Sequence, residues 1–161
     1  MTIVKAAMMG LCVVLLSGAL ARAGMVTSPN GKFSIWTPDP WTVTKKRSGI
    51  TAENPKQSVY VVAAPVGMVD ADNLDEQARA FVDSEIDDMK ITKDEESKYQ
   101  GFPARTLQGT GRDEGDDIVF QCIVVDPGGD RDVLAVLIYG DAKAMQEANA
   151  VEKILSSLKP L

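Results

Sequence analysis

The chain has 161 residues, 23 acidic against 17 basic, and no histidine, for a formal net charge of −6. Acidity of this size opposes binding to nucleic-acid backbones, where affinity comes from cations that displace counterions, and it favours a soluble, dispersed protein. The lack of histidine removes the commonest general base and metal ligand, a proximal haem ligand, and every Ser-His-Asp or Cys-His arrangement.

The first segment predicts a signal peptide over residues 1–23. Lys5 supplies a positive start, Ala6 to Leu20 is an uncharged, mostly apolar run, and Ala21-Arg22-Ala23 is an A-x-A cleavage site. The run is shorter than the roughly 20 apolar residues of a spanning helix, so an uncleaved N-terminal anchor is the alternative rather than the first reading. A lipoprotein cysteine should follow small residues at the end of such a run, whereas Cys12 sits mid-run after Leu11. Cleavage after Ala23 takes Lys5 and Arg22 with it, leaving 15 basic residues against 23 acidic ones and a net charge of about −8. Only Cys122 then remains, so an intramolecular disulfide is impossible and packing must hold the domain. A single domain over 24–161 is long enough to bury about two-thirds of its unfolded surface.

Residues 24–31, "GMVTSPNG", read as a lead-in. Phe33 and Ile35 alternate with Ser34 as in a strand with one buried face, and Pro38 and Pro40 end that strand. "WTVTKKR" and "GITAEN" are two further strands, and the valine-rich "SVYVVAAPV", residues 58–66, is a buried one. The period then changes. Leu74, Ala78, Phe81, Val82, Ile86 and Met89 form one apolar stripe of a helix, with Asn73 and Glu76 as a capping box. "ITKDEESKYQ" reads as an exposed edge strand, and "ARTLQGTGR" as the next, turned by "RDEGDD" into "DIVFQCIVV". "DPGGDR" should close a hairpin between that strand and "DVLAVLIYG". A final helix over about 142–159 carries Met145, Ala148, Val151, Leu155 and Leu158 on one face, with Asp141 as its cap and Pro160 past its end. Strands joined by turns run antiparallel, so the order predicts one α+β domain: an antiparallel sheet of about six strands covered by two main helices.

Chemistry-bearing patterns are sparse. Ser156-Ser157 lies near a helix end and not on a strand-to-helix elbow, and no G-x-S-x-G is present. Gly109-Thr110-Gly111 lacks the third glycine of a dinucleotide loop, and Lys32, Lys45 and Lys46 follow no phosphate-loop pattern. In "DADNLD", residues 70–75, Asp70 and Asp72 match an EF-type loop, but Leu74 stands where an oxygen ligand is wanted and Asp75 where glycine is needed. "RDEGDD" reads as a solvated turn. Cys122 shares a strand face with Ile118, Phe120 and Val124 and reads as a buried thiol. Trp36, opposite Phe33 and Ile35, reads as packed under a neighbouring element more than as a surface patch. No catalytic, cofactor-binding or metal-binding residue is assigned, and no cofactor is expected.

Three separated pieces carry a resemblance. Phe33-x-Ile35-x-x-Pro38-x-x-Trp41 opens the domain, Gly101-Phe102-Pro103-Ala104 precedes a central strand, and Ile154-Leu155-Ser156-Ser157-Leu158 closes the last helix. In this order they resemble the PsbP-like family, including its DcrB-type bacterial proteins. The resemblance implies an exported α/β/α sandwich around an antiparallel sheet, spanning about 33–158. Within it, "GFPA" reads as a chain-turning device and not a ligand loop: Gly101 permits a left-handed backbone, Phe102 before proline is held extended, and Pro103 withholds a donor where ladder pairing has not begun. The functional expectation is a non-catalytic, exported accessory or binding domain, periplasmic or secreted, acting on another envelope protein. It has no nucleic-acid partner and no stable membrane anchor after cleavage. A carrier of small apolar ligands, with a pocket between sheet and helix, is the alternative, and a carboxylate-dependent hydrolase stands behind it. Oligomeric state is not specified.

Overall fold

A computed structural model describes residues 24–67 and 73–161. Among the described residues ten strands form two antiparallel sheets. The smaller holds β1 (Gly24–Thr27), β2 (Phe33–Thr37) and β10 (Lys159–Pro160) in the order β1-β2-β10. The larger holds β3 (Thr42–Lys46), β4 (Gly49–Glu53), β5 (Val59–Gly67), β6 (Asp87–Tyr99), β7 (Phe102–Asp113), β8 (Asp116–Val125) and β9 (Val133–Gly140). Its order is β3-β4-β5-β9-β8-β7-β6, so β9, the last of these to be made, sits in the middle.

Every residue of β9 is buried, because the sheet is covered on both faces there. Leu137 points to one face and Ile138 to the other, both with zero exposure. Each such side chain contributes about 2 kcal/mol by leaving water. On the first face, α1 (Leu74–Asp83) lays Leu74, Ala78 and Val82 over Leu107, Phe120, Cys122 and Leu137. On the second face the small sheet inserts Val26, Phe33 and Ile35 against Ile50, Val61, Val136 and Ile138. Two short helices, α2 (Ala142–Glu147) and α3 (Val151–Leu155), complete that layer with Met145, Val151 and Ile154.

The antiparallel α+β class therefore holds, while its particulars change. The described residues hold ten strands in two sheets rather than about six in one, and the second cover is partly a sheet, so the sandwich is not purely α/β/α. The lead-in forms β1 because Val26 reaches the core and the segment pairs from Gly24↔Thr37 to Thr27↔Ser34. The expected helix over 142–159 breaks at Ala148, whose ψ of 85° leaves the helical region. The break rotates the stripe, so Ile154 is buried with Val151 and Leu158 while Leu155 is only half-buried. Pro160 stands in β10 opposite Phe33 and not beyond a helix end. The first helix stops at Asp83; Ile86 stays in the core beyond it, and Met89 belongs to β6. Asn73 makes no side-chain capping bond, so the capping box is not formed. Asp70 and Asp72 lie outside the described residues.

The turns follow their sequences. Gln100 and Gly101 have φ of 51° and 87° between the paired residues Tyr99 and Phe102, the positive pair of a two-residue hairpin turn. Pro103 already pairs with Lys98 of β6, but its carbonyl faces β8, where it accepts from the Asp126 N–H at 3.0 Å. Its absent N–H faces the same way, one residue outside the β8 ladder that begins at Ala104↔Val125, so the proline forgoes only a bond at the ladder's end. Glu114 and Gly115 repeat the positive pair, with φ of 50° and 93°, between Asp113 and Asp116. The Pro-Gly-Gly turn closes β8 on β9 as expected, with the Gly128 N–H donating to the Asp126 side chain at 2.8 Å.

Candidate functional site

Antiparallel pairing brings the start of β5, the end of β9, the start of β8, the end of β7 and the start of β6 to one end of the large sheet. This hairpin end collects most of the unusual features of the described residues. Tyr60 and Tyr139 are direct cross-strand partners, and their rings stack with centroids 5.5 Å apart at 25°. Tyr139 is almost fully covered, while Tyr60 is half-buried and its hydroxyl donates to the Gln57 carbonyl at 2.6 Å. α1 rests on β6 to β9, so β3 to β5 extend beyond its cover. Val62 and Thr51 are half-buried there, and Thr42 and Thr44 are exposed.

Carboxylates surround the tyrosines. Glu53 is the β4 neighbour of Tyr60, Asp113 and Glu114 come from the β7–β8 turn, and Glu85 follows α1. Desolvation raises the pKa of Asp113, and Glu114, Asp116 and Asp87 raise it further. Glu85 is raised by desolvation and then by Asp113. Burial pushes Tyr139 up to about 12, with Asp113 and Glu85 adding to it. Tyr60 is raised too, first by desolvation and then by Glu53. Among the described residues, no lysine or arginine forms an ion pair with Glu53, Glu85, Asp113, Glu114 or Asp116.

At the same end of the sheet, on the face opposite α1, lies an open trough of about 970 Å3. Asp88, Lys90, Arg112, Asp117 and Asp141 wall it, around Val119. Asp88 has a φ of 50° at a register shift in β6, a bulge that turns the strand's start outward. Arg112 and Asp117 approach to 3.5 Å. Asp141 is committed to α2, accepting from the N–H groups of Lys143 and Ala144 at 3.0 Å each. The walls are thus charged, unlike the apolar pocket between sheet and helix that an apolar-ligand carrier requires.

The residues weighed in the sequence take structural places. Cys122 is buried and free, its thiol pushed up by burial. Ser157 Oγ accepts from the Trp36 N–H at 2.8 Å and donates to the Ile154 carbonyl at 2.7 Å, which fastens α3 to β2. Gly109 and Gly111 let β6 and the residue before it lie close on β7: a Cβ at 109 would collide with the Lys90 backbone oxygen, and one at 111 with the Ile86 side chain. Asp75 pairs with Arg79 at 2.9 Å. Trp36 is half-buried, with Lys153 Nζ 3.7 Å from its ring centre. Among the described residues no group of three or more acidic or thiol side chains is placed to hold a metal, and no helix is long and apolar enough to cross a membrane. The tyrosine pair escaped the sequence reading. Its signal was a tyrosine near one end of each of two apolar runs, which meet only once the antiparallel register is known.

The PsbP-like resemblance holds at the level of fold. The structure is similar to cyanobacterial PsbP from Synechocystis sp. PCC 6803, with a TM-score of 0.63 at 8% identity over 95% of this chain and 99% of that one. It is similar to LpqN of Mycobacterium tuberculosis, a protein involved in cell envelope biogenesis, with a TM-score of 0.57 at 16% identity over 86% and 90%. It is also similar to the Ran-binding protein Mog1p of Saccharomyces cerevisiae, with a TM-score of 0.60 at 12% identity over 86% and 95%. No curated protein matches the sequence. The family described as "Probable lipoprotein LpqN" matches residues 29–159, which include both sheets' main strands and helices α1, α2 and α3, and the chain belongs to this Lpp-LpqN family.

Proposed function

We propose that this protein is an exported, envelope-associated accessory domain that docks another envelope protein at its hairpin end and performs no chemistry of its own. The observation that carries the reading is the part of the α1 face that no described element covers, where the Tyr60–Tyr139 stack continues past the helix into half-buried Val62 and Thr51. Tyrosine offers a large, stiff contact area with a polar tip, and it is enriched where proteins meet. Membership of a family named for a lipoprotein, and the likeness to an envelope-biogenesis protein, support an envelope setting. The A-x-A site supports release of residues 1–23, which makes Gly24 of β1 the first residue of the mature chain. The charged residues that wall the trough on the opposite face suit carriage of an apolar ligand poorly.

Photo-crosslinking in cells tests the reading. A photoreactive residue at Tyr60 should capture one discrete envelope protein, and the same residue at exposed Asp130 should not. Equal labelling from both positions, or none from Tyr60, overturns it. Mass spectrometry of the mature N-terminus should find Gly24; an intact residue 1, or a lipid on Cys12, removes the cleavage part of the proposal.

A further inference from the structure

Resting on that docking reading, the geometry points to the partner's chemistry: a lysine- or arginine-rich protein segment lies across the β3–β5 side of the α1 face, its cations among Glu53, Asp113, Glu114 and Glu85 and its stems on Tyr60. Three observations converge. Among the described residues the face has no further cover, since α1 stops over β9 and leaves Tyr60, Val62 and Thr51 half-buried. Its hairpin rim is rich in anions: four carboxylates from three places in the chain, Glu53, Glu85 and the adjacent Asp113 and Glu114, meet here, and none has a cation partner among the described residues. The rim is also electrostatically unsatisfied, because Asp113 and Glu85 are held above their ordinary range, Asp113 by desolvation and then by its acidic neighbours. A fold that gathers like charges onto a partly desolvated surface loses stability that a cationic partner restores.

Charge complementarity decides among the occupants. A second copy would bring the same anionic rim against this one, and like charges across an interface cost affinity. Anionic lipid headgroups and nucleic-acid phosphates are repelled for the same reason. A bare metal ion lacks its site, since no suitable ligand group forms among the described residues. A segment carrying lysine or arginine satisfies both parts of the surface: the head pairs with carboxylate, and the stem or guanidinium plane lies on tyrosine.

The test uses the purified protein with a labelled oligo-arginine peptide as probe, followed by fluorescence anisotropy and by backbone NMR shifts. Oligo-glutamate and spermine serve as comparison ligands. The expected result is saturable binding with shifts at Tyr60, Glu53 and Gly115. The pair Asp113→Asn with Glu114→Gln should weaken it roughly fivefold, since two partly exposed ion pairs are lost. The pair Glu76→Gln with Asp130→Asn makes the same charge change on exposed surfaces elsewhere and should change affinity less than about twofold. Tyr60→Ala should weaken the peptide and leave spermine unchanged, which separates a protein segment from a small polycation. Equal weakening by the two charge pairs, or shifts spread over the whole acidic surface, overturns the proposal. If Tyr60 captures a partner in cells whose contact segment lacks basic residues, the docking reading stands and this inference fails.

Discussion

The α1 face carries carboxylates at both sides of the helix, and they keep opposite company. On the β6 side, Asp94 receives hydrogen bonds from both Arg105 and Arg79; Arg105 also reaches Glu96 at 3.1 Å, and Arg79 reaches Asp75. The hydrogen bond from Arg105 holds Asp94 below the usual carboxylate range, against the desolvation that pushes it up. This network ties α1 to β6 and β7. At the hairpin end, Asp113, Glu114 and Glu85 have only one another, and Asp113 and Glu85 are raised. One set of charges stitches the helix down; the other is kept although it strains the fold. The contrast shows that acidic composition carries no single meaning: its effect on stability changes sign with the neighbour.

The largest expected effect comes from cutting the stitched side. Arg105→Ala should lower stability by about 2 kcal/mol in urea denaturation at neutral pH, because it leaves Asp94, only 19% exposed, with a single cation. Asp94→Asn in the same chain should recover part of that loss. Since α1 covers Cys122, alkylation of that thiol should speed up by about 30-fold in Arg105→Ala if opening of the helix gives the reagent access. An unchanged rate would show that the network does not hold the helix down.

A pH series separates the two regions more finely. Asp94 has a depressed folded pKa, so its contribution is complete above the ordinary carboxylate range and is lost as pH falls through its lowered value. The gap between wild type and Arg105→Ala should therefore be full at neutral pH and close in strong acid. Asp113 has a raised folded pKa, so its charge weakens the fold progressively as pH climbs from the ordinary carboxylate range through the raised value. Asp113→Asn should match wild type in acid and exceed it at neutral pH. Parallel pH profiles for the two variants would dissolve the comparison.

The smallest effect is the gain itself. Asp113→Asn should stabilise by about 0.5 kcal/mol at low ionic strength, read as a rise in melting temperature, and added salt should shrink the gain. Cys122 alkylation should not change in this variant. A destabilised Asp113→Asn protein would mean that the carboxylate makes a bond that outweighs its repulsions.

Much of this arrangement was legible in the residues. The valine-rich run before Gly67, the three- and four-residue spacing from Leu74 to Val82, and the glycine turns all act locally, and local signals survive into the structure. Non-local consequences did not survive so well. Nothing near Phe33 announces that β2 joins a separate small sheet, since that depends on its pairing with residues 159 and 160. The helix break at Ala148 was hidden because the apolar spacing of Met145, Ala148 and Val151 suits a continuous helix, and the packing of Ile154 overrode it. The candidate site was hardest to see. "RDEGDD" looked like a solvated turn, and it is one, but only the register of β7, β8, β9 and β5 carries it to a pair of tyrosines 79 residues apart in the chain.

The central position of β9 bears on how the chain assembles. Residues 42–67 and residues 87–125 each form an antiparallel ribbon, and the only strand joining them begins at Val133. Until that segment emerges, the β5 and β8 ribbons each present an unpaired apolar border, and the first half of the protein has nowhere to close. A chain arrested before Val133 should therefore remain open to protease from Thr42 through Gly67. Such a blueprint suits a polypeptide threaded through a narrow channel, since it delays closure until almost all of it has passed.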